Sequence, residues 1–167
     1  MMDEMGIPTV YLEAHVLRCA EILKRKGKYI PDIVMAGGFI NETQIYKAIA
    51  MSNFGDGPYV KAVLLGRAPI TAVTKAAYFV KLAEKGQLPL TFVQRYGRNP
   101  KKFFACASEF QSSFENRFDD IPLEAVGLYS YLKDRIGVGL QQLMAGCRKW
   151  SLEFLDRDDL LSLTERA

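Results

Sequence analysis

Two short, largely apolar runs, the first of them continuous, constrain this chain more than any other feature. Asp32-Ile33-Val34-Met35-Ala36 leads into Gly37-Gly38, and the run from Tyr59 to Leu65 leads into Gly66-Arg67. A strand with one solvated face alternates polar and apolar residues, and these runs do not. They are predicted as strands buried on both faces, the kind found in parallel sheets. Between them, Asn41 is placed to cap a helix over 42–52, with Ile45, Ala48, Ile49 and Ala50 apolar. A helical pattern follows from Arg67 to Lys85 and stops at Gly86. Residues 32–86 thus read strand, helix, strand, helix, which is an α/β arrangement with a right-handed crossover.

The flanks are helical. Residues 8–26 carry apolar positions at helical spacing, with Lys24, Arg25 and Lys26 ahead of Gly27, where cations suit a helix C-terminus. Beyond Gln87 the pattern predicts a helix over 99–116, with Asn99 as cap and Pro100 in its first turn. A longer helix follows over 122–149, open to a break at Gly137 and Gly139. A last short helix begins near Asp156, with Asp158 and Asp159 in its first turn. This divides the chain into a strand-bearing part, 1–90, and a helical part, 91–167. Two strands alone do not make a stable sheet with both edges free. Either the helical tail wraps them, or further strands complete the sheet.

Composition excludes several classes. Of 167 residues 49% are hydrophobic and 25% charged, as in globular domains, so global disorder is not expected. The net charge of +3 is dispersed among alternating signs, which does not suggest a nucleic-acid partner. Cys19, Cys106 and Cys147 are far apart and odd in number, arguing against a disulfide framework or a zinc site and for a reducing compartment. The N-terminal residues lack the apolar core of a signal peptide, and no run approaches the length of a spanning helix. A cytoplasmic protein without membrane contact is expected.

The chemistry concentrates at the strand ends. Gly37 and Gly38 let backbone N–H groups approach a phosphate with no Cβ in the way, and a helix starts within a few residues. Gly66-Arg67 repeats the device, and Arg67 offers charge-assisted bonds to a dianion. Two adjacent ends of this kind match the phosphate site after the seventh and eighth strands of (β/α)₈ barrels. Ordinary turn chemistry and a solvated Arg67 would explain the same residues. Other polar residues read as structural. His15, the single histidine, has no partner Ser, Cys or Asp placed by the pattern. Lys61 precedes Gly66 by five residues, about 16 Å along a strand, and reads as a plug at its far end. Cys106 reads as a core position, and Asp119-Asp120 and Asp158-Asp159 as caps or solvated acids. No catalytic or metal-binding residue is assigned.

Three stretches carry a resemblance: DIVMAGGFINETQIYKAIAM, PYVKAVLLGRA, and IPLEAVGLYSYLKDRIGVGLQQLMAGCRKWSLEFLDRDDLLSLT. From about Met5 to Thr164 the chain resembles the FMN-binding glutamate synthase domain family, especially its stand-alone prokaryotic members. The tail carries the specificity, because barrels related to inosine monophosphate dehydrogenase share only the short glycine motifs. The resemblance implies the C-terminal portion of a (β/α)₈ barrel: its last two strands with their helices, followed by a helical extension. It implies FMN as cofactor and glutamate formation from 2-oxoglutarate and ammonia through the flavin. Gly37 and Gly38 would hold the FMN phosphate at the seventh strand, and Gly66 and Arg67 at the eighth.

Two departures from the family matter. The chain starts where the sixth strand of the family has just ended, so the flavin-ring and substrate contacts of earlier strands are not in it. Ala68 to Gln87 holds no cysteine, so no iron–sulfur cluster is expected there. Three functions remain open: the phosphate-holding part of a glutamate synthase-like oxidoreductase, a non-catalytic half-barrel, or a small module binding another phosphate ligand. The half-barrel would be a truncated remnant or would complete a barrel with another chain. The expected partners are FMN and either the missing N-terminal barrel half or a second copy.

Overall fold

A computed structural model describes residues 6–161. The chain forms two compact units, one from the residues up to Gly66 with those from Gly139 onward, the other spanning Arg67–Val138.

The first unit opens with helix α1, Thr9–Arg25, whose last turn carries Lys24 and Arg25. Past Gly27 the Lys28 N–H returns to the Leu23 carbonyl at 2.9 Å, closing the end where the cations and glycine predict it. Strand β1, Ile33–Ala36, helix α2, Glu42–Met51, and strand β2, Val60–Leu64, follow. The strands pair in parallel as a two-stranded sheet. The α/β reading and the predicted 42–52 helix therefore stand, each element trimmed by a residue or so at its ends.

One expectation about the sheet fails. Both faces of both strands are predicted as buried, yet the burial alternates. Met35 and Val60 are covered, and α2 packs against β2. On the other face Val34 and Leu64 are 54% and 56% exposed, with Ala36 and Ala62 exposed beside them. A continuous apolar run thus sits on a sheet that is covered on one face only.

The C-terminal residues of this unit pack on α2. Helix α7, Gly139–Gly146, brings Met144 against Tyr46 and Ala50, and Leu155 completes that core. The Tyr46 hydroxyl donates to the Cys147 sulfur at 3.1 Å. Asn53, almost fully buried, donates to the Leu155 carbonyl at 2.7 Å and accepts from the Gly55 and Gly57 N–H groups. The short helix predicted near Asp156 is a single 3₁₀ turn, Arg157–Asp159, with a capping box from Asp156. Lys149 bridges Asp156 and Asp159, each at 2.7 Å.

The second unit holds helices α3, Arg67–Glu84, α4, Leu90–Tyr96, α5, Ala107–Phe114, and α6, Leu123–Ser130. Its core contains Cys106, Ala107, Phe118 and Val126. Helices α3 and α6 approach closely at a glycine: a Cβ on Gly127 would lie 2.6 Å from the Ala76 Cβ and 3.1 Å from Phe104. Phe92 stacks on Phe79 at 5.0 Å and meets Phe103 edge-on at 5.0 Å, tying α4 to its neighbours.

Two helix predictions here need correction. Residues 99–116 are not one helix: a 3₁₀ turn, Pro100–Lys102, is followed by a bend and then α5. Phe103, Phe104 and Cys106 all pack inward, a spread of about 160° around a helix axis, wider than an ordinary apolar stripe. The 122–149 segment does not break at its glycines. Instead α6 passes into a π-helical stretch, Tyr131–Val138, and α7 follows. Val126 and Ile136 would stand about 80° apart on a regular helix, and the wider turn accompanies the burial of both.

Candidate functional site

The strand ends set the geometry. Ile33 pairs with Val60, then the register slips by one residue, so that Val34 pairs with Ala62 and Ala36 with Leu64. The extra residue is Lys61, whose ammonium donates to the Pro58 carbonyl at 2.6 Å. It sits near the start of β2, the end away from the glycines. At the other end Ala36 and Leu64 are side by side; Gly37 follows the first directly and Gly66 the second after Leu65.

Gly37 and Gly38 take φ of 111° and 76°, a region that side chains disfavour. A Cβ on Gly37 would lie 2.6 Å from Thr9 Oγ1, so the loop can pass the start of α1 only as glycine. Together they border a cavity of about 140 Å³, to which Thr9, Val10 and Glu13 contribute from α1 and Gln44 and Lys47 from α2.

The helix that faces this loop with unused donors is not the one the sequence suggests. The start of α2 is satisfied internally: Asn41 Oδ1 accepts from the Gln44 N–H at 3.0 Å, and Gln44 Oε1 accepts from the Ile40 and Asn41 N–H groups at 2.8 and 3.3 Å. The start of α1 has only Pro8 before it and no side-chain cap. Among the described residues, the N–H groups of Thr9 and Val10 donate no hydrogen bond, and neither do those of Gly38 and Phe39. Free donors at a helix start beside free donors of a glycine loop form a concave, positively polarised surface.

Glu13 lies one turn further into α1. It is 5% exposed, and its Oε1 has no hydrogen-bond partner. Burial away from water pushes its carboxyl up to about 7. Lys47, exposed on α2, borders the same cavity.

The remaining candidates lie elsewhere. Gly66 is exposed just past the tip of β2 and does not border the cavity. Arg67 opens α3 in the second unit, exposed, where its carbonyl accepts from the Thr71 hydroxyl at 3.0 Å and its side chain borders a shallow depression with Thr71 and Tyr78. His15 is exposed on α1. Cys106 is buried, its thiol pushed up by burial and directed at the Val126 carbonyl. Asp119 pairs with Lys101. Among the described residues no three His, Cys, Asp or Glu side chains are grouped to hold a metal, and no helix is long and apolar enough to cross a membrane.

Sequence reasoning missed Thr9, Glu13 and Lys47. Glu13 was detectable: it shares the buried face of α1 with Leu17 and Ala20, four and seven residues on, so a carboxyl interrupts an apolar stripe. Comparison with protein-family models, curated proteins and solved structures finds no match.

Proposed function

We propose that this chain forms the phosphate-holding end of an FMN-dependent, glutamate synthase-like (β/α)₈ barrel. The observation that carries the reading is the register that sets Ala36 beside Leu64, so that two glycine-ended parallel strands finish at one edge. The free N–H groups of Gly38 and Phe39, next to the uncapped start of α1, suit a phosphate's acceptor oxygens. When bound, FMN supplies hydride and electron transfer at its ring. The residues here would hold only its phosphate end, with Gly37 and Gly38 contributing backbone donors, while a part for Gly66 and Arg67 follows from the resemblance alone. Glutamate formation from 2-oxoglutarate and ammonia follows from the resemblance alone, as does a cytoplasmic setting.

Titration of the purified chain with FMN, followed by flavin absorbance and fluorescence, tests the reading. Saturable binding is expected, and Gly38→Val should lower flavin occupancy more than it lowers the unfolding midpoint. An unchanged flavin spectrum at every protein concentration, or equal occupancy in the variant, rules it out.

The uncovered Val34–Leu64 face favours a second reading, a half-barrel that acts by completing its sheet with another chain or with a second copy. Parallel sheets are ordinarily covered on both faces, and two strands have no stability of their own. In a barrel, the face without helices turns inward and is filled by aliphatic side chains, as these are. Co-expression with a chain carrying the complementary strands would yield a stable, flavin-binding complex under this reading.

A further inference from the structure

We infer that the cavity beside Gly37 and Gly38 takes a phosphomonoester whose ester arm bears a hydroxyl group, with Glu13 accepting that hydroxyl's hydrogen bond. The inference rests on the phosphate reading of the same loop and narrows it to polyol phosphates.

Glu13 is 5% exposed and Oε1 has no partner, a state that is costly for a buried polar group. Its neighbours in the cavity do not answer it. The Gln44 side-chain oxygen is itself an acceptor, already engaged by Ile40 and Asn41. The Lys47 ammonium does not donate to Glu13 Oε1. Above about pH 7, where Glu13 is ionised, a bare phosphate ester does not answer it either, because its oxygens are acceptors and two like charges would share one pocket. A donor carried on the ligand a bond or two beyond the phosphate satisfies both ends: phosphate on the free N–H groups, hydroxyl on Glu13. At about 140 Å³ the cavity has room for more than a single water beside Glu13. The raised Glu13 carboxyl agrees with burial that no partner in the chain offsets.

Calorimetric titration of the full chain with glycerol 3-phosphate and with methyl phosphate, at about pH 8 where Glu13 is ionised, tests this. Both should bind, glycerol 3-phosphate about tenfold or more tightly, as a hydrogen bond to a charged group provides. In Glu13→Leu that preference should fall to near unity while methyl phosphate binds at least as well. Glu13→Gln, which keeps an acceptor of similar shape, should retain part of it, and its retained binding shows that the fold tolerates change at this position. Equal affinities in the unmodified chain, or a preference that survives Glu13→Leu, overturns the inference and leaves the phosphate reading in place. Failure of both ligands to bind overturns the two together.

Discussion

At the scale of single residues, Glu13 makes stability depend on pH in an unusual direction. Its folded carboxyl titrates near 7, against 4.5 for an ordinary glutamate. Between these values the folded chain holds a proton that the unfolded chain has released, so stability falls as pH rises. The contribution is fully present below about 4.5 and gone above about 7. A shift of this size corresponds to roughly 3 kcal/mol as an upper bound. Urea unfolding at pH 5 and pH 8 should show that decline, and Glu13→Gln should flatten it and gain stability at the higher pH. A decline of the same size in the variant would place its origin in other groups. Gly37 shows what pattern alone does reveal. Two glycines after an apolar run announce a tight strand end, but the hydroxyl that forbids a Cβ there belongs to Thr9, twenty-eight positions earlier.

At the scale of elements, the second unit depends on the close approach of α3 and α6. Gly127→Ala places a methyl 2.6 Å from the Ala76 Cβ and 3.1 Å from Phe104, so the helices must separate and the Phe104 ring must give way. Overpacking of this kind costs about 1–3 kcal/mol. The double variant Ala76→Gly, Gly127→Ala should recover much of the loss in denaturant unfolding, and additive losses would show that the contact is not the cause. The elements with strong local signals were legible: α1 with its terminal cations and Gly27, α2 with the Asn41 cap, and both strands with their glycine ends. Helix α4 has no matching expectation from the pattern, and the 99–116 and 122–149 stretches are less regular than their periodicity predicts. In these stretches tertiary packing overrides periodicity: aromatic contacts bend the chain at Phe103, and a π-helical turn, which no residue pattern announces, spans Tyr131–Val138. The candidate site was legible only at Gly37 and Gly38, because the α1 residues beside them are brought there by the fold.

At the scale of the molecule, the open sheet is the dominant feature. Val34 and Leu64 lie on an aliphatic face of a sheet whose edges pair with no further strand among the described residues, an invitation to association. The paired change Val34→Thr, Leu64→Lys should reduce self-association in light scattering while moving the unfolding midpoint little, since neither side chain is buried. A large loss of stability would mean that this face is covered in solution. The three thiols offer a separate view of the whole chain. Cys19 is exposed, Cys147 is partly covered beside the Tyr46 hydroxyl, and Cys106 is buried in the second unit. Graded in this way, they act as resident clocks for local opening. With rising urea, an alkylating reagent followed by mass spectrometry should mark Cys19 at once, Cys147 when the C-terminal residues leave α2, and Cys106 only when the second unit's core opens. Simultaneous labelling of Cys106 and Cys19 would reveal a second unit that breathes freely.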